Sequence, residues 1–224
     1  MPRLLHGLAA LIGVGFVAGF AASAHAQQEF PPPSGKGPVV VVVSGALGAA
    51  HYEPPAQQVA SLGYDVVLLD GNDMTGSHGQ ALKDAIQKAQ AAPHGLPGKV
   101  GVVGYSLGGG EALGYASRWP DLVAVIVAWY PYTAEVHDAA SFVRGMSVPA
   151  LMFAGEADEY KDCCLIETAR AIATAATSAG APVELVTYPG ANHDFIFPGK
   201  QYDAWATSDS WRRATAELAK YLPH

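Results

Sequence analysis

Residues 100–116 constrain what this chain can become more than any other stretch. An apolar run, Val100-Gly101-Val102-Val103, ends in Gly104-Tyr105-Ser106-Leu107-Gly108, and Glu111-Ala112-Leu113-Gly114-Tyr115-Ala116 follows with a helical pattern. A strand turning sharply into a helix, with Gly-x-Ser-x-Gly at the turn, lifts the serine hydroxyl clear of both elements. The turn strains the backbone at Ser106, and the flanking Gly104 and Gly108 leave room where side chains would collide with neighbouring elements. The helix beyond it offers free backbone N–H groups, that of Leu107 first, to charge developing on a bound oxygen. Glycine-rich turns that merely close a strand against a helix carry the same pattern, so the rest of the chain must supply a nucleophile's partners.

The surrounding segments alternate. Val39 to Val43 is an unbroken β-branched run, suited to a strand buried on both faces of a parallel sheet. Residues 64–69, 123–128, 150–154 and 183–188 read as further strands. Helices are expected over 54–63, 80–92, the stretch from the elbow to before Pro120, 163–178 and 208–222. Strand and helix in turn predict an α/β protein with a doubly wound, mainly parallel sheet and helices on both faces. The connection from Trp129 to Val148 is too short for a large cap domain, which predicts an open site.

The N-terminus carries its own signal. Met1-Pro2-Arg3, an apolar run of small residues and Ala24-His25-Ala26 describe a secretory signal peptide over 1–26, with an uncleaved anchor as the competing reading. The expectation is a periplasmic or secreted chain that leaves the membrane when the leader is cut. Residues 27–38, with Pro31-Pro32-Pro33, read as an extended tether into one domain over 39–224. Half the residues are hydrophobic and 15% are charged, which fits a full-sized core. The formal charge of −7 comes without a cluster of Lys or Arg, which argues against nucleic acid as a partner.

In such a sheet, catalytic groups gather at the carboxyl ends of the strands. Asp158 follows the fifth predicted strand in Gly155-Glu156-Ala157-Asp158, and His193 follows the sixth in Gly190-Ala191-Asn192-His193-Asp194-Phe195. The order Ser106, Asp158, His193 is that of the α/β-hydrolase fold. A neutral histidine takes the serine proton, and the carboxylate fixes its tautomer and stabilises the imidazolium. Asp138 and Glu135, after the fourth strand, are rivals for the acid, and Glu156 and Glu159 read as solvated loop charges. Leu47, Trp129 and Tyr130 are candidates to line the substrate pocket, against a reading of the aromatics as ordinary packing.

These motifs resemble the dienelactone hydrolase family. The resemblance rests on Gly104-Tyr105-Ser106-Leu107-Gly108-Gly109, Gly155-Glu156-Ala157-Asp158 and Tyr188-Pro189-Gly190-Ala191-Asn192-His193-Asp194-Phe195, and extends to the 44–48 loop. It implies that the backbone N–H of Ala46 joins that of Leu107 as an oxyanion donor. Two departures accompany each other: Ser106 stands where the family's name-giving enzymes have cysteine, and Gly45 where they have a glutamate that restrains the thiol. Those enzymes hold a substrate carboxylate with arginines, and the loop after His193 and the loops near the elbow contain none. The expected activity is therefore hydrolysis of an ester or lactone with a small, uncharged acyl group.

Acyl transfer on the same triad and a non-catalytic binding module are the alternatives; the complete triad disfavours the second. No cofactor is expected, since no His, Cys and Asp cluster has metal-ligand spacing and the glycine run lacks a phosphate-loop lysine. Cys163 and Cys164 could form a strained vicinal disulfide, pair between chains or stay as buried thiols at a helix start, and the last ranks first because helical geometry would hold the sulfurs apart.

Overall fold

The computed structural model describes residues 27–224, and the expected leader lies outside the described residues. Seven strands form one sheet in the order β1-β3-β2-β4-β5-β6-β7. They are β1 (Gln28–Phe30), β2 (Gly37–Val43), β3 (Asp65–Leu69), β4 (Gly95–Tyr105), β5 (Val123–Trp129), β6 (Ala150–Gly155) and β7 (Val183–Tyr188). All neighbours pair in parallel except β1, which runs antiparallel along β3 with Glu29 opposite Val67.

The helices are α1 (Glu53–Ser61), α2 (Gly71–Met74), α3 (Gln80–Ala89), α4 (Leu107–Gly114), α5 (Ala139–Val143), α6 (Ile166–Ala179) and α7 (Ala204–Tyr221). Strand alternation divides the core between the two faces of the sheet. Val39, Val41 and Val43 point into one layer with Leu82 and Ile86 of α3, Leu113 of α4 and Ile172 of α6. Val40 and Val42 point into the other, with Val59 of α1 and Leu218 of α7. Removing a side chain of this size from a filled core costs about 2–5 kcal/mol, so the central strands hold the elbow rigidly. Between β5 and β6 only the short α5 intervenes, and among the described residues no large cap covers the carboxyl ends of the strands.

Besides shifts of a few residues at the start of β4, the end of α4 and the start of α7, two features differ from the sequence reading. Gln28 to Phe30 is the edge strand of the sheet rather than a free tether, because its backbone completes the open edge of β3 before the prolines begin. Helix α6 starts at Ile166, and Cys163 and Cys164 precede it in an irregular turn, joined to each other by a disulfide. The expected thiols rested on a helix that had not yet begun. Among the described residues no helix is long and apolar enough to cross a membrane.

Candidate active site

Ser106 ends the turn between β4 and α4 with φ 48° and ψ −111°, a conformation a non-glycine residue adopts only when its surroundings impose it. The constraints are visible: Ser106 N–H donates to the Trp129 carbonyl at 3.0 Å, and its own carbonyl accepts from Gly110 and Tyr132 at 3.0 and 2.7 Å. A Cβ on residue 104 would sit 2.5 Å from the Gly108 carbonyl oxygen, so only glycine permits the turn to close.

The structure brings the three predicted side chains together from three loops. His193 Nε2 lies 3.1 Å from Ser106 Oγ, and His193 Nδ1 lies 2.8 Å from Asp158 Oδ2. All three residues are buried, at 7%, 3% and 4% exposure for Ser106, Asp158 and His193. Asp158 Oδ1 accepts from the Tyr160 N–H at 3.1 Å, and Asn192 Oδ1 accepts from the His193 N–H at 2.7 Å. The imidazole is held between two rings, Tyr160 stacked at 4.6 Å and Tyr130 tilted at 4.8 Å. The rival acids are elsewhere: Asp138 caps α5 through Ala140 N–H and Ser141, and Glu135 accepts from the Tyr132 hydroxyl.

The first-strand loop is pinned against the elbow. Gly108 N–H donates to the Ser44 carbonyl at 3.1 Å, and Ser44 Oγ accepts from Gly71 N–H at 2.9 Å. Asp70 accepts from the N–H groups of Ala49 and Asn72, and the Asn72 amide reaches the Ala46 carbonyl at 3.3 Å. Burial pushes the Asp70 carboxyl up, but these hydrogen bonds outweigh it and the net shift is downward. Neither Leu107 N–H nor Ala46 N–H donates to an acceptor among the described residues. A Cβ on residue 45 would lie 2.2 Å from the Tyr52 hydroxyl oxygen, so a glutamate does not fit where Gly45 stands.

The expected pocket residues divide. Leu47 is 59% exposed beside Ala46, available to a ligand. Trp129 is a correction: fully buried, it packs on Tyr105, Phe153 and Trp211 in the core. Alternation along β5 places it with Val125 and Val127 on the α1 and α7 face. Tyr130 is also fully buried and supports the imidazole instead of lining a pocket.

Sequence reasoning missed Tyr160, Asp70, Asn72 and Asp194. Asp194 has φ 58°, and its Oδ1 lies 4.0 Å from His193 Nε2. Burial holds its carboxyl above the usual range; Asp158 adds to this, while His193 and His51 oppose it. Two groups of three potential metal ligands occur among the described residues. Cys163, Cys164 and His193 do not fit a cation while the sulfurs are bonded to each other. Glu29 of β1, Asp65 at the start of β3 and His94 just before β4 gather at the end of the sheet opposite Ser106.

A model of the dienelactone hydrolase family matches residues 71–222. The chain belongs to the dienelactone hydrolase family. A structure from Klebsiella pneumoniae subsp. pneumoniae MGH 78578, assigned as a dienelactone hydrolase, is similar with a TM-score of 0.75 and 22% identity; the match covers 87% of this chain and 92% of that one. Esterase 2 of Thermogutta terrifontis, phosphorylated by paraoxon, is similar with a TM-score of 0.68 and 19% identity over 88% and 90% of the two chains. These likenesses bear on the fold. Protein usf of Aquifex pyrophilus is 28% identical over 131 residues, 56% of this chain and 53% of that protein. The chain thus spans about half the length of that curated relative. Membership of the dienelactone hydrolases supports ester hydrolysis as the class of activity.

Proposed function

We propose that the protein is a serine ester hydrolase that works through an acyl-enzyme, with Ser106 as nucleophile, His193 as base and Asp158 as its orienting acid. The observation that carries the reading is the continuous relay from Asp158 Oδ2 through both ring nitrogens of His193 to Ser106 Oγ, at 2.8 and 3.1 Å. Ser106 Oγ attacks the ester carbonyl carbon while His193 Nε2 takes its proton, and the carbonyl oxygen becomes an oxyanion facing the N–H groups of Leu107 and Ala46. Collapse expels the alcohol, which receives that proton from His193. Water then repeats the sequence on the acyl-enzyme and releases the carboxylic acid.

The substrate is a small ester or lactone whose acyl group carries no carboxylate. Among the described residues the guanidinium groups of Arg118, Arg170, Arg212 and Arg213 are engaged with the 114 and 142 carbonyls, Glu156 and Asp209, and Arg144, the fifth, caps the end of α5, where its charge acts on Asp138. Export follows from the apolar run before Ala24-His25-Ala26, and predicts a mature N-terminus near Gln27 by mass spectrometry of protein from its host. The mechanism is tested with an organophosphonate, whose adduct should map to Ser106. Ser106→Ala and His193→Ala should each lower kcat by roughly a thousandfold or more, and together little further. A label on another residue, or near-native turnover by Ser106→Ala, would sink the mechanism.

A further inference from the structure

Tyr52 is a buried side chain at the site that the relay does not use. It ends the 3₁₀ turn Ala49–Tyr52 ahead of α1, in the stretch after β2 that also carries Ala46, and it is 1% exposed. Its ring is fixed from two sides, by Tyr105 at 5.1 Å and by Phe197 edge-on at 5.2 Å. A ring packed in this way holds its hydroxyl in one place.

That place is beside the nucleophile. A Cβ on residue 45 would meet the Tyr52 hydroxyl oxygen at 2.2 Å and Ser106 Cβ at 3.2 Å, so both groups border the small volume that Gly45 leaves empty. The peptide unit that follows Gly45 carries the Ala46 N–H, so the hydroxyl lies against the backbone expected to face the oxyanion. Asp194 and Tyr160, which flank the His193 ring, are near enough to act on the hydroxyl electrostatically. Burial first, and then the charge of Asp194, push the phenol well above its ordinary range, with the Gly45 N–H opposing them. The group therefore keeps its proton wherever His193 is neutral. A buried tyrosine hydroxyl ordinarily has a partner, yet no acceptor among the described residues takes this proton.

We propose that Tyr52 is a catalytic residue: its hydroxyl donates a third hydrogen bond, beside those of the Ala46 and Leu107 N–H groups, to the substrate carbonyl oxygen as that oxygen becomes an oxyanion. The assignment rests on the ester-hydrolase reading and adds a residue to its site. Tyr52 keeps its own proton throughout, while the serine proton goes to His193 Nε2. The pairing also gives Gly45 a reason, since any side chain there would push the hydroxyl away from Ser106. A donor held in position before the charge develops strengthens as the oxyanion forms, so its removal is felt in kcat rather than in KM.

Tyr52→Phe keeps the ring and its packing and removes only the hydroxyl. With p-nitrophenyl butanoate, kcat should fall by roughly 100-fold while KM stays within about threefold of wild type. A second measurement uses pentyl trifluoromethyl ketone, whose carbonyl carbon takes Ser106 Oγ to give a hemiketal with the same oxyanion. Its inhibition constant should weaken by the factor lost in kcat/KM, a match that looser packing alone would not produce. Rates are referred to the sites that an organophosphonate labels, so any loss of folded material in the variant cancels. A kcat within about threefold of wild type, or a lower kcat with the ketone's affinity unchanged, overturns the Tyr52 assignment. In both cases turnover by the wild type leaves the hydrolase reading standing. If the wild type turns over no p-nitrophenyl ester and takes no label on Ser106, the hydrolase reading falls and the Tyr52 assignment with it.

Discussion

Asp158 serves two acceptors' roles at once: Oδ2 receives the His193 Nδ1–H and Oδ1 receives the Tyr160 N–H. A substitution that keeps the shape but changes the chemistry isolates the first. Asp158→Asn retains an oxygen for one partner and presents an NH₂ to the other, which favours the tautomer with its proton on Nε2. The expected loss in kcat is on the order of a thousandfold with KM little changed, while Asp138→Ala, at the capping residue of α5, should stay within about tenfold of wild type. Steady-state kinetics on any turned-over p-nitrophenyl ester reads both, and equal losses would return the acid role to Asp138. At this scale the sequence was explicit where a motif fixed the residue: Ser106, Asp158 and His193 each follow a recognisable strand end. It was silent where backbone geometry decides. Alternation would send Tyr130 to the opposite face from Trp129, yet its φ of 35° turns it back to the same layer, under the imidazole. The face of Trp129 itself was readable, since Val125, Val127 and Trp129 share one parity along β5.

The loop after β2 and the helix α4 behave as one unit, tied by the Gly108-to-Ser44 hydrogen bond and braced from outside by Asp70 and Asn72. Neither brace touches Ser106, His193 or Asp158 by any hydrogen bond, but both fix the stretch carrying Ala46 N–H. Loss of a direct oxyanion donor costs about 100–1000-fold in kcat, so loosening one through its support should cost less. Asn72→Ala is expected to lower kcat by roughly tenfold with a small change in KM, and an unchanged kcat would detach the brace from catalysis. The disulfide is the contrasting element. It sits next to the His193 loop, with the Cys163 carbonyl accepting from Thr133 N–H at 2.8 Å, but supplies no atom to the relay. Replacing both cysteines with alanine should leave ester turnover within about tenfold. Long elements were legible because their periodicity and β-branched runs extend over many residues: β2, β3, β5, β6 and β7 lie within a few residues of expectation. The three-residue β1, hidden by its neighbouring prolines, and the short α2 and α5 were not, because tertiary contacts rather than local pattern stabilise them.

For the molecule as a whole, an acidic chain with carboxyls raised by burial at Asp65, Glu111 and Asp194 should lose stability on the alkaline side. Asp65 begins β3 fully buried, with neither carboxyl oxygen hydrogen-bonded among the described residues. Burial first, and then the charge of Glu29, push it up to about 6, and burial pushes Glu111 up to about 7. For a carboxyl whose pKa is raised by folding, the unfolded chain releases its proton more readily. Its contribution to stability is present below the unfolded value near 4 and is lost as pH rises through the folded value. Asp70 and Asp209 act in the opposite sense, since their lowered values stabilise the fold above the unfolded pKa and fail as pH falls. The two trends place the highest Tm near pH 5, with a decline toward pH 8 as Asp65 and Glu111 are forced to ionise in place. Asp65→Asn removes one of these charges and nearly keeps the volume, at the end of the sheet far from the relay. Its Tm by circular dichroism should lie close to wild type at pH 5 and above it at pH 8. A Tm below wild type at pH 8 would mean that the Asp65 carboxylate has a stabilising partner in solution, and the raised value would be wrong.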